Sequence, residues 1–213
     1  MPGQLEDGEH VRVSSQQRRE QLIEAALVVA KRDGVGAVST RTVAAEAGAT
    51  PGIVHYVFAS MDDLLRAMIA RMAERYIDTV TDVAVSGDHD VTSLLEQSSS
   101  HLWSSVESDP DGHLLTFEVA AHALRTAGFN DLAQWQYETY RMTARRVLER
   151  VAEVCEVEWT LPLDSLARML VVINDGVVLS WLVDRDSEKA REVYAAFIRE
   201  VASYARPLRE TAG

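Results

Sequence analysis

Leu65, Met68, Ile69, Met72, Tyr76, Val80 and Val83 recur at intervals of three and four residues. Only a helix brings such spacing onto one continuous apolar stripe, here about five turns long. A stripe of that length must be covered by other elements, so it dictates a layered helical body. Much of the remaining chain keeps the same period. Ile23, Ala26, Leu27 and Ala30 share a face ahead of Gly34 and Gly36, which stop that helix. Ser39 N-caps a short helix holding Val43, Ala44 and Ala47, which Gly48 ends. Thr50-Pro51 starts the next helix, with Pro51 at its first position. Ser60-Met61-Asp62-Asp63 opens the long one, in a capping box with Asp in place of Glu. Breaks at Ser86-Gly87-Asp88, 108–112, 128–130, 160–162 and 184–186 leave helical segments near 91–107, 113–127, 131–157, 163–184 and 187–205. No β-alternation bounded by hairpin turns appears, and no internal repeat. The expected fold class is all-α, with three short helices and about six longer ones. A disordered arm over 1–14 precedes an N-terminal three-helix domain over 15–60 and a larger helical domain over 61–213.

The net charge of −12 by itself argues against an anionic partner, but its distribution is uneven. Residues 11–60 carry six Lys and Arg against four Asp and Glu, whereas residues 61–213 carry fifteen against twenty-six. A mildly basic head on an acidic body fits a chain whose head alone meets an anionic surface. The lone cysteine, Cys155, excludes an internal disulfide and any multi-cysteine zinc site. The longest apolar stretch, Leu166 to Val183, is interrupted by Arg168, Asn174 and Asp175, so no membrane span is expected. The first ten residues lack the basic and apolar regions of a secretory signal. These features lead to the expectation of a soluble, cytoplasmic protein, and no cofactor motif is visible.

The most specific feature is the tight turn at Ala47-Gly48-Ala49 between two short helices. Such a pair is either a plain helical hairpin or a helix-turn-helix. Ala44 and Ala47 are small enough for the helices to cross closely, and Gly48 can take the positive φ that the turn needs. Val43, Ile53 and Val54 close a small core, which leaves the outer face of the second helix open to a DNA major groove.

The stretch from Ser39 to Leu65, STRTVAAEAGATPGIVHYVFASMDDLL, resembles the DNA-binding signature of the TetR family of transcriptional regulators. The shared positions are Val43-Ala44, Ala47-Gly48, Gly52, Tyr56, Phe58, Ser60 and Leu64-Leu65. Two departures stand out. Met61 occupies the position where the family usually has Lys, and His55 and Val57 replace its usual aromatic residue and His. The resemblance implies an N-terminal helix-turn-helix and a C-terminal effector-binding and dimerisation domain. It implies a ligand-responsive repressor that binds a pseudo-palindromic operator on double-stranded DNA as a homodimer. Thr40, Arg41, Thr42, Thr50, Pro51, Gly52, His55, Tyr56 and Ser60 are the expected DNA contacts. Arg41 suits a phosphate or a guanine edge, and the hydroxyls suit phosphate. Phe58 is expected in the core. Arg18 and Arg19 either touch phosphate or are solvated.

The acidic body must do something else. Leu170, Ile173, Val177 and Trp181 make one apolar face of the 163–184 segment, and Met169, Val172, Gly176, Leu179 and Val183 make a second. A helix apolar on two faces is covered on both sides. One cover is this chain's own core; the other is either a second subunit or more of the same core. The resemblance implies that the last two helices pair with their copies. Val172, Gly176, Leu179, Val183, Phe197 and Val201 are the expected interface. By the same resemblance, Met72, Tyr76, Trp103, Phe117, Trp135, Tyr140 and Asn174 border a cavity for a small, largely apolar effector. Asn174 and Asp175 interrupt an apolar helix and need partners there, from a ligand or from another helix. An enzyme remains a rival reading, since Glu118 and His122 stand at i, i+4 with Asp109 and His113 nearby, a spacing that either ligates metal or forms a surface pair. A DNA-independent helical interaction protein is the other rival.

Overall fold

The computed structural model describes residues 14–81 and 90–208, and the backbone alone at 76–81. The expected arm before Ser14, Val83 and the break at Ser86-Gly87-Asp88 lie outside the described residues, as do the side chains of Tyr76 and Val80.

Helix α1 (Ser15–Asp33) is the first of nine α-helices among the described residues. Ser14 caps it by accepting from the Gln17 N–H, and Gln17 returns the bond in a capping box. Its 19 residues make it longer than expected. It ends at Gly34, whose φ of 85° and ψ of 158° favour a residue without Cβ. A 3-10 turn at Val35–Ala37 leads to α2 (Thr40–Glu46) and α3 (Pro51–Val57). Then come α4 (Met61–Thr81), α5 (Val91–Ser108), α6 (Pro110–Arg125) and α7 (Asn130–Val154). Helices α8 (Leu163–Asp184) and α9 (Ser187–Ala202) complete the body.

The all-α class holds, with one small departure. Strands β1 (Val157–Trp159) and β2 (Ala205–Pro207) pair antiparallel, Val157 opposite Pro207 and Trp159 opposite Ala205. They shorten the expected helices, which end at Val154 and Ala202 instead of 157 and 205. Glu156, at φ 52°, makes the turn out of α7, and the Trp159 indole donates to the Leu148 carbonyl at 3.1 Å. Three residues per strand are too few to display a period of two, so the sequence pattern could not announce them. Helix α6 also begins earlier than expected, because Asp109 caps it and Pro110 occupies its first position.

Two cores hold the molecule. The first joins Leu22 and Leu27 of α1, Val43 and Ala44 of α2, Val54 of α3 and Phe58 to Leu64, Met68 and Ile69 of α4. It does not stop at the end of the head: Leu115 and Val119 of α6 and Leu132 of α7 belong to the same cluster. The second core is built from α5, α7, α8 and α9, around Leu94, Trp103, Leu148, Leu166, Trp181 and Ile198. Helix α8 reaches a mean hydropathy of 1.7 over 18 residues, so by length and composition it could cross a bilayer. Here it buries Leu166, Ala167, Val171, Ile173, Val177, Val178 and Trp181 against its own chain.

Leu64 is 0% exposed and packs where head and body cores meet. Leu64→Ala should cost about 2–5 kcal/mol, the range for a buried Leu whose site cannot collapse. Chemical denaturation monitored by helical circular dichroism measures it; a loss under about 1 kcal/mol would mean this junction is loosely packed.

Candidate DNA-binding face and ligand cavity

The turn between α2 and α3 is a Schellman motif. The Gly48 N–H donates to the Ala45 carbonyl at 3.2 Å and the Ala49 N–H to the Ala44 carbonyl at 2.8 Å. Gly48 takes φ 61° there, as its lack of Cβ allows. At the other end of α2, Ser39 accepts from the Thr42 N–H and Thr42 Oγ1 accepts from the Ser39 N–H at 2.9 Å. The Thr42 hydroxyl also donates to the Ala37 carbonyl at 2.8 Å. Its proton is therefore committed, and Thr42 sets the start of α2 rather than presenting a donor to phosphate. Thr40 is half-buried and its hydroxyl approaches Met61 Sδ at 3.5 Å. Ser60 accepts from the Asp63 N–H at 3.1 Å and so caps α4. Asp63 in turn accepts from the Ala59 N–H at 3.2 Å, so the reciprocal bond reaches one residue further back than a capping box requires.

The remaining expected contacts on α2 and α3 are open to solvent. Arg41, Thr50, Pro51, Gly52, His55 and Tyr56 are all exposed, and Tyr56 is 85% exposed. No side-chain bond ties Thr50 to the helix it caps. Arg41 has no ion pair among the described residues. Phe58 is buried, as expected, and Arg19 lies over its ring at 4.7 Å while pairing with Asp63 at 3.6 Å. Arg19 thus belongs to the head's own packing. Arg18 bonds Gln21 at 3.0 Å.

Behind the head, α1, α4, α5, α6, α7 and α8 enclose a partly open cavity of about 130 Å³. Four of the expected ligand residues line it: Met72, Phe117, Tyr140 and Asn174. Two do not. Trp103 lies in the second core, edge-on to Trp181 at 5.6 Å and near Tyr194 at 6.5 Å. Trp135 sits on the outer side of α7, in a surface groove with Arg66 and Leu132. Their spacing placed them on helices but could not say which side of a buried helix faces the cavity. Tyr76 is on α4, and its side chain is outside the described residues.

The cavity is more polar than expected. Leu27 and Lys31 of α1 form part of its wall, with Arg75, Ser105, Asp109, His113 and Asp175. Lys31 and Asp109 form an ion pair that ties the head's first helix to the start of α6. Burial raises the Asp109 carboxyl, but the bonds from Lys31 and the Gly112 N–H outweigh it and hold the carboxyl below its usual range. Glu118 strengthens the same junction by accepting from the Val35 N–H at 3.3 Å. His122 stacks edge-on against Phe129 at 6.1 Å. The groups that had the spacing of a metal site therefore stitch α6 to its neighbours. Asp109 and Pro110 are the sequence signal for this junction, but in the sequence they read only as a break between helices, with Asp109 beside a metal-like spacing.

The stripe on α8 is open. Val172 is 62% and Val183 82% exposed, and Gly176, Leu179 and Phe197 are exposed with them. Val193 of α9 extends the patch. Val201 does not belong to it: at 0% exposed it is a core residue, since it shares the face of α9 that carries Tyr194 and Ile198.

A short-helix pair with an exposed outer face, mounted on a helical body with an internal cavity, is the architecture of a helix-turn-helix regulator. Comparison with known proteins agrees. Residues 22–68 match the model of bacterial regulatory proteins of the TetR family, and residues 102–205 match the BetI-type transcriptional repressor C-terminal model. The chain is 32% identical over 183 residues to the HTH-type nicotine-responsive transcriptional repressor HdnoR of Paenarthrobacter nicotinovorans, covering 86% of this chain and 93% of that protein. The crystal structure of the multidrug binding protein EbrR complexed with ethidium superposes with a TM-score of 0.61 at 27% identity, over 84% of this chain and 98% of that one. A TetR-family regulator from Rhodococcus sp. gives a TM-score of 0.74 at 19% identity, over 88% and 99%. The chain belongs to the TetR family of transcriptional regulators. Its relatives are regulators and not enzymes.

His113 makes the cavity sensitive to acid. Burial, the largest influence, opposes its protonation, Asp109 favours it and Lys31 opposes it, and the balance lowers its pKa from 6.5. As the pH falls below 6.5, the unfolded chain takes up a proton that the folded chain refuses. Stability present at neutral pH is therefore lost through that window. Asp175 acts in the opposite sense: burial raises its carboxyl against the bond from Tyr137, so the folded state takes that proton first. Denaturant midpoints should fall on acidification from about pH 7.5 to about 5.5, and fall less in His113→Asn. Identical profiles would mean that His113 titrates as if solvated.

Proposed function

We propose that this chain is a cytoplasmic, ligand-responsive transcriptional repressor that binds a pseudo-palindromic operator as a homodimer. The observation that carries the DNA reading is the outer face of α3, where Tyr56 stands 85% exposed beside His55, Gly52 and Pro51. An aromatic ring left in water on a seven-residue helix has no packing role, and a major groove gives it one. Arg41 reaches the same surface from α2 and supplies a charge for a phosphate or a guanine edge. Thr50 and Ser60 add hydroxyls; Thr42 fixes the start of α2 behind them, and the Thr40 hydroxyl is turned to Met61 Sδ.

The exposed stripe of Val172, Gly176, Leu179 and Val183, with Phe197, supports a two-fold dimer through α8 and α9. A contiguous apolar patch of this kind is costly in water. Two such patches facing each other about a dyad form a four-helix interface, and Gly176, with nothing near its Cβ position, allows close approach. The dimer then presents two recognition helices about one duplex turn apart, ~34–36 Å or somewhat more.

The effector is a small organic molecule held in the cavity behind the head. HdnoR is named as nicotine-responsive and EbrR was crystallised with ethidium, which supports a ligand-responsive role here. Two helices run from that cavity to the head. Met72 and Arg75 come from α4, Leu27 and Lys31 from α1, and Lys31 is held by Asp109 at the α5–α6 junction. A ligand acts through its different affinity for the DNA-bound and free arrangements, typically ~1–3 kcal/mol of coupling.

Selection from a random duplex library should return a pseudo-palindrome. On that duplex, Arg41→Ala and Tyr56→Ala should each weaken binding by about 1–3 kcal/mol at unchanged melting temperature, with a steep salt dependence in the wild type. Wild-type affinity in both variants would refute the assignment of this face. Sedimentation should give twice the chain mass, and Leu179→Arg with Val183→Arg should give a folded monomer with weak operator binding. A monomeric wild type would overturn the dimer.

A further inference from the structure

The charges facing the cavity narrow the chemistry of its occupant, given the effector site assigned above. Besides Tyr140, five titratable side chains line it: Lys31, Arg75, Asp109, His113 and Asp175. Lys31 pairs with Asp109, and Arg75 donates to both oxygens of Glu24 at 2.9 and 2.7 Å. Each cation of the wall is therefore matched by a carboxylate. Burial keeps His113 toward its neutral form. Asp175 has no basic partner among the described residues; its polar neighbour is the Tyr137 hydroxyl, which lowers the carboxyl against the effect of burial. A carboxylate accepts about four hydrogen bonds, so Tyr137 leaves most of its capacity unused. Its charge is felt by the surrounding tyrosines: after burial, it is what raises Tyr137, and it contributes at Tyr140 and Tyr194.

The adjacent residue makes the same demand. Asn174 Oδ1 is buried without a hydrogen-bond partner among the described residues. Of two neighbouring acceptors on α8, Asn174 Oδ1 thus lacks a donor and the Asp175 carboxyl has acceptor capacity to spare, and the rings of Phe117 and Tyr140 line the same space. A neutral apolar occupant would strip water from Asp175 and leave Asn174 unsatisfied, which is costly. An anion would meet like charge. An ammonium with an attached ring supplies a counter-charge to Asp175, a donor to Asn174 and an apolar body to the aromatic rings, which also attract cations. The volume of about 130 Å³ limits the occupant to one small ring system with a short amine. We propose that the cavity takes a small aromatic organic monocation, with Asp175 as its counter-ion and Asn174 Oδ1 as second acceptor.

This replaces the largely apolar effector expected from the aromatic residues alone. It also places the specificity in α8, the helix whose other face carries Val172 and Gly176.

The test uses matched probes on the full-length protein: 2-phenylethylamine against 2-phenylethanol, and benzylamine against benzyl alcohol, at neutral pH. Each pair keeps its shape and differs in charge. Calorimetric titration and thermal shift should show each amine binding at least about tenfold more tightly than its alcohol, the order of a charge-assisted hydrogen bond. Asp175→Asn keeps the shape of the side chain and should reduce that preference to near unity, with its fold checked by circular dichroism. Equal affinities in the wild type, no binding of either amine, or a preference that survives Asp175→Asn would each overturn the assignment. Wild-type operator binding, measured on the same preparation, separates the two levels: if it persists while the amine preference is absent, only the cation assignment falls, and if it too is absent the regulator reading falls with it.

Discussion

The apolar face of α4 is the constraint on which the other contacts depend. Leu64, Met68 and Ile69 are buried in one core that also takes in residues of the three helices of the head and of α6 and α7. Water is excluded from one stripe by two sets of neighbours, so neither set can move far without exposing apolar surface. That is why small polar ties matter where they occur. Lys31 with Asp109, and the Val35 N–H with Glu118, sit at the rim of this shared core and fix where α1 meets α6. A packed junction with a few polar ties has discrete arrangements rather than a continuum, which is what a switch requires.

The head's local geometry is strongly determined. Ser39 and Thr42 satisfy each other at the start of α2, and the Schellman turn at Gly48 satisfies its end. With both ends closed by short-range bonds, a seven-residue helix that would be marginal alone holds its place. Its partner α3 has weaker ends of its own and is held by Val54 and by the Pro51 start. A hydroxyl that already donates within the head cannot also donate outward, and that division separates Thr42 from Thr50.

Much of this was legible in the sequence because it is local. Ser39, Gly48, Pro51 and Ser60 each act within four residues. Ser39 and Ser60 accept from the N–H three residues on, Gly48 takes the positive φ of the turn and Pro51 opens α3. Thr50, however, makes no side-chain cap bond, and Asp63 reaches Ala59 instead of closing the expected box. The two-faced pattern of α8 was legible for the same reason, since a period of 3.6 sorts Val172 and Val183 from Ile173 and Trp181. The failures are non-local. Trp103 and Trp135 lie on helices that neighbours cover from several sides, and periodicity does not say which neighbour contributes a cavity. Val201 is expected in the interface by resemblance, although its register follows Tyr194 and Ile198 inward. The Lys31–Asp109 pair spans 78 positions, and no local rule connects them. The β1–β2 pair joins residues nearly fifty positions apart through strands of three.

The first core does not respect the boundary at residue 60. Leu22 and Phe58 share it with Leu115 and Leu132, and Leu27 and Lys31 form part of the cavity wall. For anyone grafting DNA-binding heads between such regulators, the transplantable module is therefore larger than the helix-turn-helix. A cut after Ser60 would seat a foreign α1 against a native α6, with no assurance of a lysine for Asp109 or a matching backbone for Glu118. Chimeras that carry α1 to α4 together with the facing residues of α6 keep the seam whole. Those cut at the shorter boundary would fold around a mismatched one.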